Sequence, residues 1–425
     1  MRKPAWRRAW ALLGYGRLRT LSLVTFSHGF VAVALFAQMV AQARMLSVLE
    51  FGHLATMLAV SMVVEAAVGA RGSETALATF AEIPGDDLDR RHAVTLRLLR
   101  VDLLWSLAIY TVLAGAVIAY VALRGARYEW LLILIAGSLV AYPWGTLKAY
   151  LTVFKGPRAF PSIEVSYAAT VFFGGVSLGF VWGGLGFVIA MALASLVRTI
   201  LGFRQAGISL GSMAGEAGPK GGIPRNTLWA LGATGTVRSG LLNLAANMDI
   251  LLLAVASSAA PVGLYRAAKI LSPLVQRVTL PVWFVLKRHI IVGSRGDDNA
   301  HSRRMVVIAA AGFLAVGAAL IPALLYFGGD IIALAFGERY RAGAGALYWL
   351  VPGAWILHAV TGWSSLFGSV ASERLTVIGI YCAQIALFAL VAVAGGITLG
   401  SVACAFALSQ AMVAACFWML FLRRR

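Results

Sequence analysis

Apolar residues in this chain come in runs of roughly 20, separated by short polar gaps, from one end to the other. A run of that length, coiled as a helix, crosses about 30 Å of hydrocarbon. Twelve runs can be marked, at 21–44, 52–71, 98–123, 130–151, 160–182, 184–204, 227–253, 262–287, 305–327, 344–369, 375–395 and 399–422. The pattern predicts an all-α integral membrane protein. The first run extends past Gln42 without a small-residue cleavage site, so it reads as a retained helix and not as a signal peptide. No gap is long enough for a soluble domain. The stretch 205–226 is rich in Gly and Pro (GSMAGEAGPKGGIP) and reads as a cytoplasmic linker. It divides the chain into a six-helix lobe at 1–204 and a second at 227–425.

Charge then orients the spans. The 425 residues carry 36 Lys and Arg, 17 Asp and Glu, and a net charge of +19. Of the basic residues, 24 fall at the chain ends and in alternate gaps, and only Arg124, Arg127, Arg339 and Arg341 fall in the others. Cytoplasmic connections retain Lys and Arg, so both termini are expected inside the cell. A bacterial cytoplasmic (inner) membrane protein with many passes fits this pattern. The excess charge is expected to face anionic membrane lipids and not nucleic acid. Cys382, Cys404 and Cys416 lie in apolar runs with neither disulfide nor zinc spacing.

The halves look like a repeat. Gly52 opens the second span and Gly263 the eighth, 211 positions on; Gly186 opens the sixth and Gly400 the twelfth, 214 positions on. Six helices per half is an even number, so both halves enter the membrane in the same sense. The expected relation is a parallel pseudo-two-fold repeat about the membrane normal.

Enzyme signatures are missing. There is no Walker A loop, no dinucleotide fingerprint and no paired-His metal motif, so neither a cofactor nor a metal is implied. Charge inside the spans is more informative, because a cation at a helix centre costs about 2.5–3.5 kcal/mol on insertion scales and usually faces a polar cavity. Arg71, Lys148 and Arg198 lie near cytoplasmic helix ends and can snorkel. Arg44 lies near the outer end of the first span. Arg238 lies mid-way in the seventh span, and Arg266, Lys269 and Arg277 form one stripe on the eighth. Asp249 is at the depth of Arg266 and could neutralise it, but it cannot also neutralise Lys269, Arg277 and Arg238, for which no nearby acid is evident. Glu65 is the other deep carboxylate. A water-filled cleft that attracts an anionic headgroup is the expectation, with Arg238, Arg266, Lys269, Arg277 and Arg44 as substrate-binding residues. Glu65 and Asp249 are candidate ligands for a coupling proton or sodium ion.

Several stretches carry a family resemblance. NMDILLLAVASSAAPVGLYRAAKILSPL resembles the helix 7–8 signature of bacterial polysaccharide flippases, in its Asp249, Gly263, Leu264 and Tyr265. LSVLEFGHLATMLAVSMVVE resembles the family's helix 1–2 turn, with Phe51 and Gly52 matching and Ser47 in place of a Gly. AFGERYRAGAGALYWLVPGAWI resembles the helix 9–10 turn through Phe336, Gly337 and Tyr340. The resemblance implies the multidrug/oligosaccharidyl-lipid/polysaccharide exporter superfamily, with two six-helix lobes around a V-shaped cavity. It implies a flippase, not an enzyme, that moves polyprenyl-pyrophosphate-linked oligosaccharide to the outer leaflet by alternating access, beside a polysaccharide polymerase machinery. Rival readings are a drug or metabolite-cation antiporter of the same superfamily, a flippase for a peptidoglycan precursor, and a membrane glycan polymerase or ligase.

Overall fold

The computed structural model describes residues 15–81, 83, 87–124, 130–156, 159–208, 225–273, 299–364 and 371–423. In chain order its helices are α1 (Tyr15–Met45), α2 (Val48–Ala81), α3 (Leu88–Arg124), α4 (Trp130–Ala141), α5 (Trp144–Tyr150), α6 (Pro161–Ala169), α7 (Gly175–Trp182), α8 (Gly184–Ala206), α9 (Arg225–Ala256), α10 (Ala259–Leu271), α11 (Asn299–Tyr326), α12 (Gly328–Phe336), α13 (Leu347–Ser364), α14 (Ala371–Ala394) and α15 (Leu399–Arg423). Single π-turns at Leu151–Lys155 and Thr170–Gly174 extend α5 and join α6 to α7, and a 3₁₀ segment at Glu338–Ala346 leads into α13. Among the described residues, ten segments are long and apolar enough to cross a membrane. The other two expected spans are α1, whose Gly29–Met45 forms a shorter apolar helix, and α10.

Helix runs past the hydropathy where packing supplies what hydrophobicity does not. The apolar runs end at 71 and begin again at 98, yet α2 reaches Ala81 and α3 starts at Leu88. Ala76, Phe80, Val94, Leu98 and Leu99 are buried there against Trp144, Leu147, Tyr150 and Phe203. At 34 residues, α2 is about 51 Å long, well beyond the hydrocarbon.

The chain forms two compact units. One comprises residues 1–38 and 67–236, the other residues 39–66 and 237–425. In the first, α4 packs on α8 through Gly137, where an added Cβ would lie 2.9 Å from the Ala192 Cα. Lys148 pairs with Glu164 at 2.7 Å, and the Arg198 guanidinium lies 4.3 Å above the Tyr167 ring, so two of the three cations expected to snorkel are held by an acid and by aromatic faces; the side chain of Arg71 lies outside the described ones. In the second unit, α13 packs on α15 through Gly353, where a Cβ would lie 2.6 Å from the Ala407 Cα. His358 is buried there between the rings of Phe313 and Trp355, a packing role.

These contacts expose the repeat. Gly137 and Gly353 are 216 positions apart, and their partners Ala192 and Ala407 are 215 apart. A second match is reciprocal. A Cβ on Gly52 would lie 1.8 Å from the carbonyl oxygen of Ala259, and a Cβ on Gly263 would lie 2.3 Å from that of Val48. Both the glycines and the carbonyl residues are 211 apart, so α2 and α10 cross by the same contact made twice. Gly400 does not mirror Gly186: an added Cβ meets nothing within 4 Å at Gly400, but meets the Leu178 carbonyl at 2.0 Å at Gly186. The offset of 215 places Ser401 there instead.

The crossing predicts a graded result. Gly52→Ala and Gly263→Ala drive a methyl into backbone and should cost about 1–3 kcal/mol, lowering the unfolding midpoint in detergent. Gly400→Ala should leave it unchanged or raised. Equal midpoints for the three variants would contradict the crossing.

Candidate functional site

The second unit gathers its charge where α9 turns into α10. Ser257 and Ser258 form the turn after α9, and Pro261 sits in the first turn of α10, where its missing N–H costs nothing. The hairpin brings the last turns of α9 beside the first turns of α10. Positions 265 and 269 lie about 40° apart on α10 and form the seam that faces α9.

Asp249 meets that seam. Its side chain is 0% exposed. The Lys269 ammonium donates to Asp249 Oδ1 at 2.7 Å, and the Tyr265 hydroxyl donates to Oδ2 at 2.7 Å. The Ile250 backbone N–H adds a further bond to Oδ1 at 2.8 Å. Lys269 also donates to the Ala246 carbonyl and lies 4.9 Å above the ring of Phe406 on α15. Two of the ammonium's three donors are thus bonded to oxygen, and its charge rests on an aromatic face. The triad is therefore closed on itself.

Arg266 lies about 60° around α10 from Lys269, off the seam. Its guanidinium is within electrostatic range of Asp249. Among the described residues, its one hydrogen-bond partner is the Met39 thioether sulfur on α1, at 3.9 Å. Five N–H donors thus face a single weak acceptor.

The sequence placed Arg266, not Lys269, on Asp249. The structure reverses that pairing, because equal depth along two helices does not fix the azimuth, and Lys269 shares a face with Tyr265. Tyr265, Met39 and Phe406 were missed as contributors; the i, i+4 spacing of Tyr265 and Lys269 was the available signal. Arg238 stands 11 positions before Asp249, about 16 Å along α9, within electrostatic range of the Tyr381 phenol of α14. It does not join the triad. Arg277 lies outside the described residues. Glu65 is exposed on α2.

Arg44 lies at the end of α1 and bonds backbone. It donates from Nε to the Ala335 carbonyl at 3.0 Å and from Nη2 to that of Leu334, at the C-terminal end of α12. Arg339 answers, donating from Nη2 to the carbonyls of Ala43 at 2.7 Å and Arg44 at 2.9 Å, at the C-terminal end of α1. The last carbonyls of a helix have no intrahelical donor and carry the negative end of its dipole, so each arginine caps the other's helix. Phe51 meets Tyr340 edge-on at 5.6 Å beside this clasp. A Cβ on Gly343 would lie 2.5 Å from the Leu264 carbonyl. The turns at α1–α2, α9–α10 and α12–α13, which carried the family resemblance, thus converge in one knot within the second unit. Ser47 and Glu50 cap α2 reciprocally, the Ser47 hydroxyl donating to Glu50 Oε2 at 2.9 Å and accepting from the Glu50 N–H at 3.2 Å.

The chain matches no family model and no curated protein. It is similar to solved structures. A multidrug resistance MATE family transporter of the MOP superfamily in its inward-facing conformation superposes with a TM-score of 0.70 at 14% identity, over 93% of this chain and 94% of the other. The outward-facing conformation of such a transporter gives 0.66 at 13% identity, over 96% and 94%. A MOP superfamily transporter from Pyrococcus furiosus Vc1, whose binding pocket is described as of reverse polarity, suggesting a different function, gives 0.65 at 14% identity, over 96% and 94%. The chain has the fold of these transporters, a multi-pass all-α membrane architecture.

Proposed function

We propose that this chain is a flippase that moves polyprenyl-pyrophosphate-linked oligosaccharide from the cytoplasmic to the outer leaflet of the bacterial cytoplasmic membrane by alternating access. The observation that carries this reading is the guanidinium of Arg266. It sits in a membrane helix, Lys269 holds the nearby carboxylate, and its only hydrogen-bond partner among the described residues is a thioether. A planar guanidinium with open donors suits a phosphate oxygen, in keeping with the resemblance to polysaccharide flippases. Arg238 and Arg277 extend the basic character along the same two spans. The lipid tail stays in the bilayer while the charged head crosses.

In this reading the positive-inside bias places the Arg44–Arg339 clasp on the outer side. It is the closure that must part to release cargo outward. Asp249, held by Lys269 and Tyr265, and Glu65, exposed on α2, are the two candidate carboxylates for a coupling proton or sodium ion. Partners in the pathway would be the enzymes that assemble and polymerise the glycan. The second reading is a multidrug antiporter, favoured by the MATE neighbours. Cationic drugs need accessible acids, and α1 carries none from Tyr15 to Met45.

Reconstituted protein should flip a labelled lipid-linked oligosaccharide. Arg266→Gln should lower transport about 10- to 100-fold, the loss of a charged hydrogen bond of about 1.5–3 kcal/mol, and Arg266→Lys should retain part of it. Undiminished transport in Arg266→Gln, or efflux of organic cations in place of glycolipid, overturns the reading. Arg44→Ala with Arg339→Ala should raise labelling of a cysteine placed at the buried Ala43 by a membrane-impermeant thiol reagent from outside. Unchanged labelling would remove the clasp as a gate. Glu65→Gln should flatten the dependence of transport on pH or sodium, and an unaltered profile would exclude it from coupling.

A further inference from the structure

The Asp249–Lys269 pair acts on the cargo site without entering it. Two cations one helical turn apart, Arg266 and Lys269, share the field of a single buried carboxylate. The carboxylate accepts one cation fully. Lys269 wins because it lies on the seam with Tyr265, has the Ala246 carbonyl for a second donor and packs its ammonium on Phe406. Arg266 is left with Met39.

We propose that Lys269 is a positioning residue whose task is to occupy Asp249, so that Arg266 stays available to an anionic oxygen ligand. This rests on the flippase reading and gives its binding site an internal regulator. Were Lys269 a cargo ligand, as its place in the cationic stripe suggests, its ammonium would have to abandon two oxygen acceptors and the face of Phe406. Were it absent, Asp249 would be a buried carboxylate without a cation. A guanidinium one turn away binds a carboxylate through two parallel N–H bonds, so Arg266 would swing onto Asp249 and be lost to the ligand. Lys269 contributes by what it blocks. Tyr265 assists, since its hydroxyl holds Oδ2 and denies Arg266 a two-oxygen grip.

The test is a double-mutant cycle on the full-length protein in detergent and in proteoliposomes. Binding of inorganic pyrophosphate is read by its shift of the unfolding midpoint, and transport of the lipid-linked oligosaccharide by its apparent KM. Lys269→Met keeps the apolar stem against Phe406 and should raise both constants about tenfold or more. Adding Asp249→Asn to it removes the captor and should return them to within about threefold of the parent. Lys269→Arg, which still fills Asp249, should stay near the parent and serves where Lys269→Met does not fold. A double variant as defective as Lys269→Met shows that Lys269 touches the ligand and overturns the proposal. Lys269→Met indistinguishable from the parent overturns it too, because Asp249 then does not capture Arg266. Failure of the flippase reading looks different: Arg266→Gln would itself leave binding and transport unchanged.

Discussion

A carboxylate sealed from water must be held by a cation or give up its charge, and in this chain Asp249 has two cations within reach. Much of the second unit's chemistry follows from which one it takes. The α9–α10 hairpin presents one seam of α10 to α9, and Tyr265 and Lys269 share that seam. Once they saturate Asp249, the neighbouring Arg266 is turned toward Met39 with most of its donors unmatched by oxygen. The same contact that fastens two spans therefore leaves a cation over. Neither role is visible in a count of charges, because Asp249, Lys269 and Arg266 together sum to a single positive charge however they are paired.

The second constraint is the close crossing of α2 and α10. Gly52 and Gly263 let each helix rest on the other's carbonyl, and the arrangement is its own mirror image in the sequence at an offset of 211. A repeat that enters the membrane twice in the same sense makes such a self-complementary contact natural. The arginine clasp is built at the same place but is not a copy of the repeat. Arg44 and Arg339 are 295 positions apart, and each satisfies the exposed carbonyls of a helix from the other half of the chain. In lipid or at its margin such carbonyls have few donors besides water, so an arginine is worth more there than on an ordinary surface. Hydrogen bonds of this kind can open and reclose, whereas interlocked backbone crosses only at glycine.

What the sequence made legible was set by solvent. Hydropathy reports transfer into hydrocarbon, so the spans and the all-α class could be read directly. It reports nothing about helix outside the membrane, which is why the hairpin of α2 and α3 around Phe80 and Leu98 was read as a polar gap. The short motifs gave the turns at Phe51-Gly52, Gly263-Leu264-Tyr265 and Phe336-Gly337, but not that they pack on one another. Depth along a helix can be counted from sequence; azimuth relative to a neighbour cannot, and that difference moved Asp249 from Arg266 to Lys269. Arg44 shows a related limit. A cation near a helix end reads as available, and only the position of α12 shows that backbone carbonyls claim it.

Substrate polarity in a membrane transporter is decided by the charges that survive internal pairing. On a raw count, this chain offers five basic residues and two acids in the spans singled out above. Pairing removes Lys269 against Asp249, and capping removes Arg44. Beside the triad this leaves Arg266, whose hydrogen-bond partner among the described residues is the Met39 thioether, and no acid lies along α1 from Tyr15 to Met45. A carrier of organic cations needs the opposite remainder, since a cation entering this site would meet Arg266 and find Asp249 already closed by an ammonium and a phenol. For an anion the order of events is favourable. In the proposed reading Asp249 is already paired with Lys269 before a ligand arrives, so binding would not have to break an ion pair to obtain a guanidinium.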